Sequence, residues 1–162
     1  MGVSTAAILA YGYDFGGEEE WLVREVDEYG GLIPDTGGWV PDPETEEDFD
    51  VIGLAERQLL SASGFTETYE DGRKGYFARE SAAKAALGVE FVSYCSDESP
   101  MHILAAKVHT VARGYVGDAA ALIEADAATR QEWDAKLTDA LRALGWTPVQ
   151  DKPKWLLASY WG

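Results

Sequence analysis

Residues 89–112, VEFVSYCSDESPMHILAAKVHTVA, decide the fold class. Val89–Cys95 and His102–Ala112 are rich in β-branched and aromatic residues, the composition of strands. Ser96-Asp97-Glu98-Ser99-Pro100 between them is polar turn material. The pair therefore reads as a hairpin. Upstream of it, the spacing predicts a short helix over Arg79–Leu87 that ends at Gly88, and a second hairpin, Phe65–Tyr69 with Lys74–Phe77, around Asp71-Gly72. Further upstream, Ile52, Ala55, Leu59 and Leu60 keep the spacing of one buried helical face. Thr45 and Asp48 have the spacing of a capping motif, and Gly64-Phe65 makes a stop, so a helix is expected over 46–62.

Downstream of the hairpin, Asp118 is placed to cap a short alanine-rich helix. Thr129 and Glu132 repeat the capping spacing, and Trp133, Leu137, Leu141 and Leu144 follow at helical intervals up to Gly145. Trp155–Trp161 reads as a last strand, because the tail KWLLASYWG is too apolar to hang in water. At the other end, Val3–Tyr13 reads as a strand whose many alanines weaken its alternation. Trp21–Asp27 reads as another, paired with the first through the Asp14–Glu20 connection, where Gly16 and Gly17 supply the turn. Strands and helices in mixed order without a βαβ rhythm indicate an α+β fold, with a mainly antiparallel sheet and three to four helices. The 162 residues suit one domain over 1–162, with a Gly/Pro-rich acidic loop at about 28–44.

Charge is the most uneven property of the chain. The net charge is −16, and Asp14–Asp50 carries fourteen carboxylates against Arg24 alone, which is −13 of that total. Such a surface repels phosphate backbones and anionic headgroups, so neither direct nucleic-acid binding nor membrane binding is expected. No Lys or Arg precedes Arg24, and a lone Cys95 supports neither an intrachain disulfide nor a cysteine metal cluster. The expected compartment is the cytoplasm.

Motifs for chemistry are sparse, and no catalytic residue, metal set or cofactor is assigned. Phosphate-cradling and dinucleotide glycine patterns are absent. A calcium loop started at Asp48 fails at Ile52 and Leu59, where oxygen ligands are required. Cys95 has acidic neighbours, which disfavour a thiolate, and a strand cysteine is expected to be a small buried residue. His102 and His109 are seven apart, so in a continuous strand they face opposite sides and make no metal pair. Two sites remain. The first is a partner-binding surface of Glu18, Glu19, Glu20, Trp39, Asp42, Glu44, Glu46, Glu47, Asp48 and Asp50, with Trp39 as an aromatic anchor among carboxylates. The second is a ligand cleft of Tyr94, Asp97, Glu98 and His102, with the 28–44 loop as its roof.

Three segments, AYGYD at Ala10–Asp14, YCSDESPMHILAA at Tyr94–Ala106 and LASYWG at Leu157–Gly162, resemble small acidic proteins of actinobacteria and their phages. The resemblance carries over no site residue. It implies a context in which a protein of this size acts by binding a host protein. With the clustered carboxylates, the leading expectation is an acidic protein-binding module. Its partner would be a basic, nucleic-acid-binding protein that it inhibits as a nucleic-acid mimic. A small ligand-binding or enzymatic domain is the alternative, and an assembly protein that uses the apolar tail is a third.

Overall fold

The 89–112 hairpin is the centre of the sheet. The computed structural model describes residues 4–33, 50–70 and 72–162. Along the chain run β1 (Thr5–Gly17), α1 (Val51–Ala62), α2 (Tyr76–Leu87), β2 (Glu90–Ser96), β3 (Pro100–Ala112), α3 (Ala119–Leu122), α4 (Ala127–Leu144) and β4 (Lys154–Trp161). β3 pairs antiparallel with β2 on one side and with β1 on the other. β4 pairs antiparallel with the first half of β1, from Thr5↔Trp161 to Gly12↔Lys154. The four strands close into a barrel in the order β1-β3-β2-β4. Its closing seam is short and parallel, Cys95↔Tyr160 and Ser96↔Trp161. The fold is thus α+β, antiparallel at three of its four seams, and the apolar tail is built into the sheet.

Alternation divides the strands between two packing layers. Ile8, Ala10, Ile103 and Ala105 form the inner cluster, with Val92, Tyr94, Val108, Leu156, Ala158 and Tyr160 against it. Four strands enclose little space, so small side chains fill much of the interior. That is the physical reason for Ala10, one of the alanines that weaken the pattern in β1. Tyr11, Tyr13, Phe15 and Leu104 face the other way, onto Val51, Ile52, Ala55 and Leu59 of α1 and Leu137, Ala140 and Leu144 of α4. Leu137 and Leu144 are fully buried there, each contributing about 1.5–3 kcal/mol of transfer free energy.

Two irregularities bend the long β1–β3 ribbon. Tyr11 pairs with Lys107 but Gly12 with Ala105, so Ala106 is an extra residue on β3; Phe15 is the extra residue on β1 between Asp14 and Gly16. Gly12 is required at the first, since a Cβ there would stand 1.8 Å from the Leu104 carbonyl oxygen. The extra residue also resets the alternation. His102 stacks on Trp21 and His109 on Trp155, and both indoles pack against the outer, helix-covered cluster. The two histidines therefore share a face, contrary to the rule for a continuous strand. Seven residues of strand still separate them by about 23 Å.

Other local expectations are corrected as well. Trp21–Asp27 is not a strand; only the bridges Gly16↔Trp21, Val23↔Pro148 and Val26↔Leu32 form there. Its fixed point is Glu25, a buried carboxylate that accepts from the Thr147 backbone N–H at 2.7 Å and the Thr147 hydroxyl at 2.7 Å. These bonds tie the segment to the α4–β4 connection instead of to a partner strand. The 65–77 stretch is not a hairpin either. Tyr76 already begins α2, and Phe65, Tyr69, Tyr76 and Phe77 pack ring on ring beside it.

Helix α1 starts at Val51, capped by Asp50, whose carboxylate accepts from Gly53 N–H at 2.7 Å; the proposed Thr45/Asp48 cap lies outside the described residues. Helix α4 starts two residues before Thr129, because Asp126 supplies the cap and Thr129 donates to it at 2.7 Å. The Asp118 cap of α3 and the glycine stops at Gly88 and Gly145 stand as expected. Cys95 is exposed, not buried: it is the last residue but one of β2, with a left-handed backbone at φ 72°. Among the described residues, no helix is long and apolar enough to cross a membrane.

Candidate functional site

Where β1 ends, Gly16 takes φ 67° and Gly17 donates its N–H to Glu20 O at 3.0 Å, folding the chain back on itself. A side chain at Gly16 would collide with the Glu20 carbonyl. This tight turn leaves Glu18, Glu19 and Glu20 fully on the surface. It also delivers Trp21 onto His102, ring to ring, with centroids 6.0 Å apart and planes within 15°.

His102 is 8 % exposed, with Nδ1 3.3 Å from the Ser93 hydroxyl. Burial lowers its pKa below the ordinary histidine value, while the carboxylates of Asp50 and Glu18 act in the opposite direction. Both carboxylates are near enough to His102 for their charge to act on it. Glu18 from the β1 turn and Asp50 from the head of α1, 32 positions apart in sequence, thus converge at one end of the barrel. Among the described residues, neither they nor Glu19 and Glu20 make an ion pair. The cations of Arg73, Arg79, Lys84, Arg142 and Lys154 are spent on other carboxylates. Trp39, Asp42, Glu44, Glu46, Glu47 and Asp48 of the expected surface lie outside the described residues.

The expected cleft of Tyr94, Asp97, Glu98 and His102 does not assemble as one site. Successive strand residues point to opposite faces, so Tyr94 enters the inner layer while Ser93 meets His102 on the outer one. Tyr94 donates to Asp14 Oδ1 at 2.8 Å, and burial followed by this bond raises its pKa well beyond the tyrosine range. Asp97 sits in the β2–β3 turn and accepts from the Tyr160 hydroxyl at 2.5 Å, pinning the end of β4. Glu98 is exposed in the same turn. Of the 28–44 loop, the described residues 28–33 form a turn organised by Asp27, whose Oδ1 accepts from the N–H groups of Tyr29 and Gly31. Asp14 is the residue that sequence reasoning placed in neither site; only the barrel brings it to Tyr94. Among the described residues, no three His, Cys, Asp or Glu side chains are grouped to hold a metal ion.

No family model matches this chain, nor does any curated protein or solved structure. The site is therefore interpreted from its own chemistry. That chemistry is a set of exposed carboxylates, Glu18–Glu20 on a tight turn and Asp50 at the cap of α1, that make no ion pair among the described residues, beside the stacked Trp21–His102 pair.

Proposed function

We propose that this chain is an acidic protein-binding module whose Glu18–Asp50 end occupies the nucleic-acid-binding surface of a basic protein and inhibits it as a nucleic-acid mimic. One observation carries this reading: Glu18 and Asp50, 32 positions apart in sequence, are both near enough to His102 for their charge to act on it, and among the described residues neither makes an ion pair. Carboxylates gathered on a folded scaffold present a fixed array of negative charge. A partner that binds phosphates carries the complementary array, and such complementarity speeds association and suppresses wrong partners. A surface carboxylate whose only role is solubility has no need of such convergence. Trp39 and the carboxylates at 42–48, the other residues of the expected surface, adjoin Asp50 in sequence and lie outside the described residues.

Affinity capture from an actinobacterial lysate tests the reading, with the wild type beside a Glu18→Gln, Glu19→Gln, Glu20→Gln, Asp50→Asn variant. The expected result is a basic nucleic-acid-binding protein held by the wild type alone, released at moderate salt and displaced by duplex DNA. Equal capture by both baits, or retention through high salt and excess DNA, overturns it.

A further inference from the structure

A cavity of about 370 Å³ opens where Asp14 of β1, Tyr94 and Cys95 of β2 and Met101 and Ile103 of β3 approach residues 156–159 of β4. Met101, Ile103, Leu156 and Ala158 supply its apolar lining, and Asp14 and Tyr94 supply polar groups. Asp14 is held on three sides. Its backbone N–H donates to Gln150 at 3.0 Å, and its Oδ1 accepts from Tyr94 at 2.8 Å and from Gly16 N–H at 2.9 Å. Among the described residues no cation pairs with it, and its second oxygen has no hydrogen-bond donor.

A half-buried carboxylate in apolar surroundings is costly unless a charge compensates it. Here the carboxylate is fixed in place by donors that use only one of its oxygens, beside a space of ligand size. We propose that this cavity binds a primary ammonium group on a short apolar stem, with Asp14 Oδ2 receiving the ammonium and Met101, Ile103, Leu156 and Ala158 receiving the stem. The chain's net charge of −16 draws such cations toward it from solution. Two sources share this chemistry, a free alkylamine and the side chain of a lysine in another protein. The site shares no residue with the Glu18–Asp50 surface and does not depend on that reading.

The test is an NMR titration of the whole isotope-labelled chain, followed at the Ile103 and Ala158 methyls. The probes are n-butylammonium, its neutral isostere n-butanol, and lysine blocked at both backbone ends. Expected is a preference of about tenfold or more for butylammonium over butanol, the size of a hydrogen bond to a charged group. Asp14→Asn keeps the acceptor for Tyr94 and Gly16 and abolishes the preference. Tyr94→Phe keeps the charge and retains it. Stronger binding of the free amine identifies a metabolite-type ligand, and stronger binding of the blocked lysine identifies a protein side chain. Equal affinity for butylammonium and butanol, an unchanged preference in Asp14→Asn, or no methyl shift at tens of millimolar overturns the proposal.

Discussion

His102 shows how one side chain reports its surroundings. Burial outweighs the attraction of Asp50 and Glu18, so its folded pKa lies below the ordinary 6.5. The unfolded chain then binds the proton first as pH falls. The stabilisation from neutral His102 is complete above about pH 6.5 and declines as pH drops toward the folded value. Comparing unfolding free energies of wild type and His102→Gln from about pH 8 to pH 5 should show the wild type losing ground on acidification; parallel curves refute this. Gly12 gives a second prediction at the same scale. Its missing Cβ leaves room for the Leu104 carbonyl, so Gly12→Ala forces the β1–β3 ribbon apart and should cost about 2–4 kcal/mol in chemical denaturation. A glycine in a strand signals close approach, but the partner atom comes from another strand and has no trace in the local sequence. Asp14 was invisible for the same reason: nothing near it in sequence indicates a tyrosine 80 positions away.

Among the elements, α1 and α4 were legible because their apolar residues recur at helical spacing and cover the sheet. Leu137 is fully buried in that layer, and Leu137→Ala should cost about 2–5 kcal/mol by urea unfolding, through lost transfer energy and the cavity left behind. Helix α2 differs. Tyr76 is its only buried residue, and grooves of about 600 Å³ and 590 Å³ run along either side of it. With so little burial, α2 should open by local unfolding well below the global free energy. Hydrogen exchange is expected to show its amides exchanging before those of α4; equal protection would overturn this. Its poor burial also explains the sequence misreading. Tyr76 and Phe77 suggest a strand locally, while Gly75 in the left-handed region starts the helix. Trp21–Asp27 alternated like a strand, but it leaves β1 after the Gly16↔Trp21 bridge and bonds instead to Thr147 and Val149. Alternation signals two environments, and Glu25 finds its own in a loop.

For the molecule as a whole, a net charge of −16 means self-repulsion in the folded state. Screening relieves it, so the melting temperature should rise between low and molar sodium chloride, by about 2–4 °C for each kcal/mol of repulsion removed. The Glu18→Gln, Glu19→Gln, Glu20→Gln, Asp50→Asn variant should show a smaller rise, with helix α1 intact because asparagine also caps. An identical rise in both proteins would mean that the acidic end is no denser in charge than the remainder. Leu157 and Trp161 are 77 % and 59 % exposed on the outer face of β4, beyond the helices, even though the strand itself is paired. Composition and periodicity alone determined the α+β class, the 89–112 hairpin, the two long helices, the pairing of the apolar tail and the concentration of negative charge. Each of these follows from local spacing or from a sum over residues. Closure of the sheet into a barrel, the shared face of His102 and His109, the separation of Tyr94 from His102 and the approach of Glu18 and Asp50 to His102 were decided by tertiary structure. They depend on strand register, where a single extra residue such as Ala106 reverses the direction of every side chain beyond it.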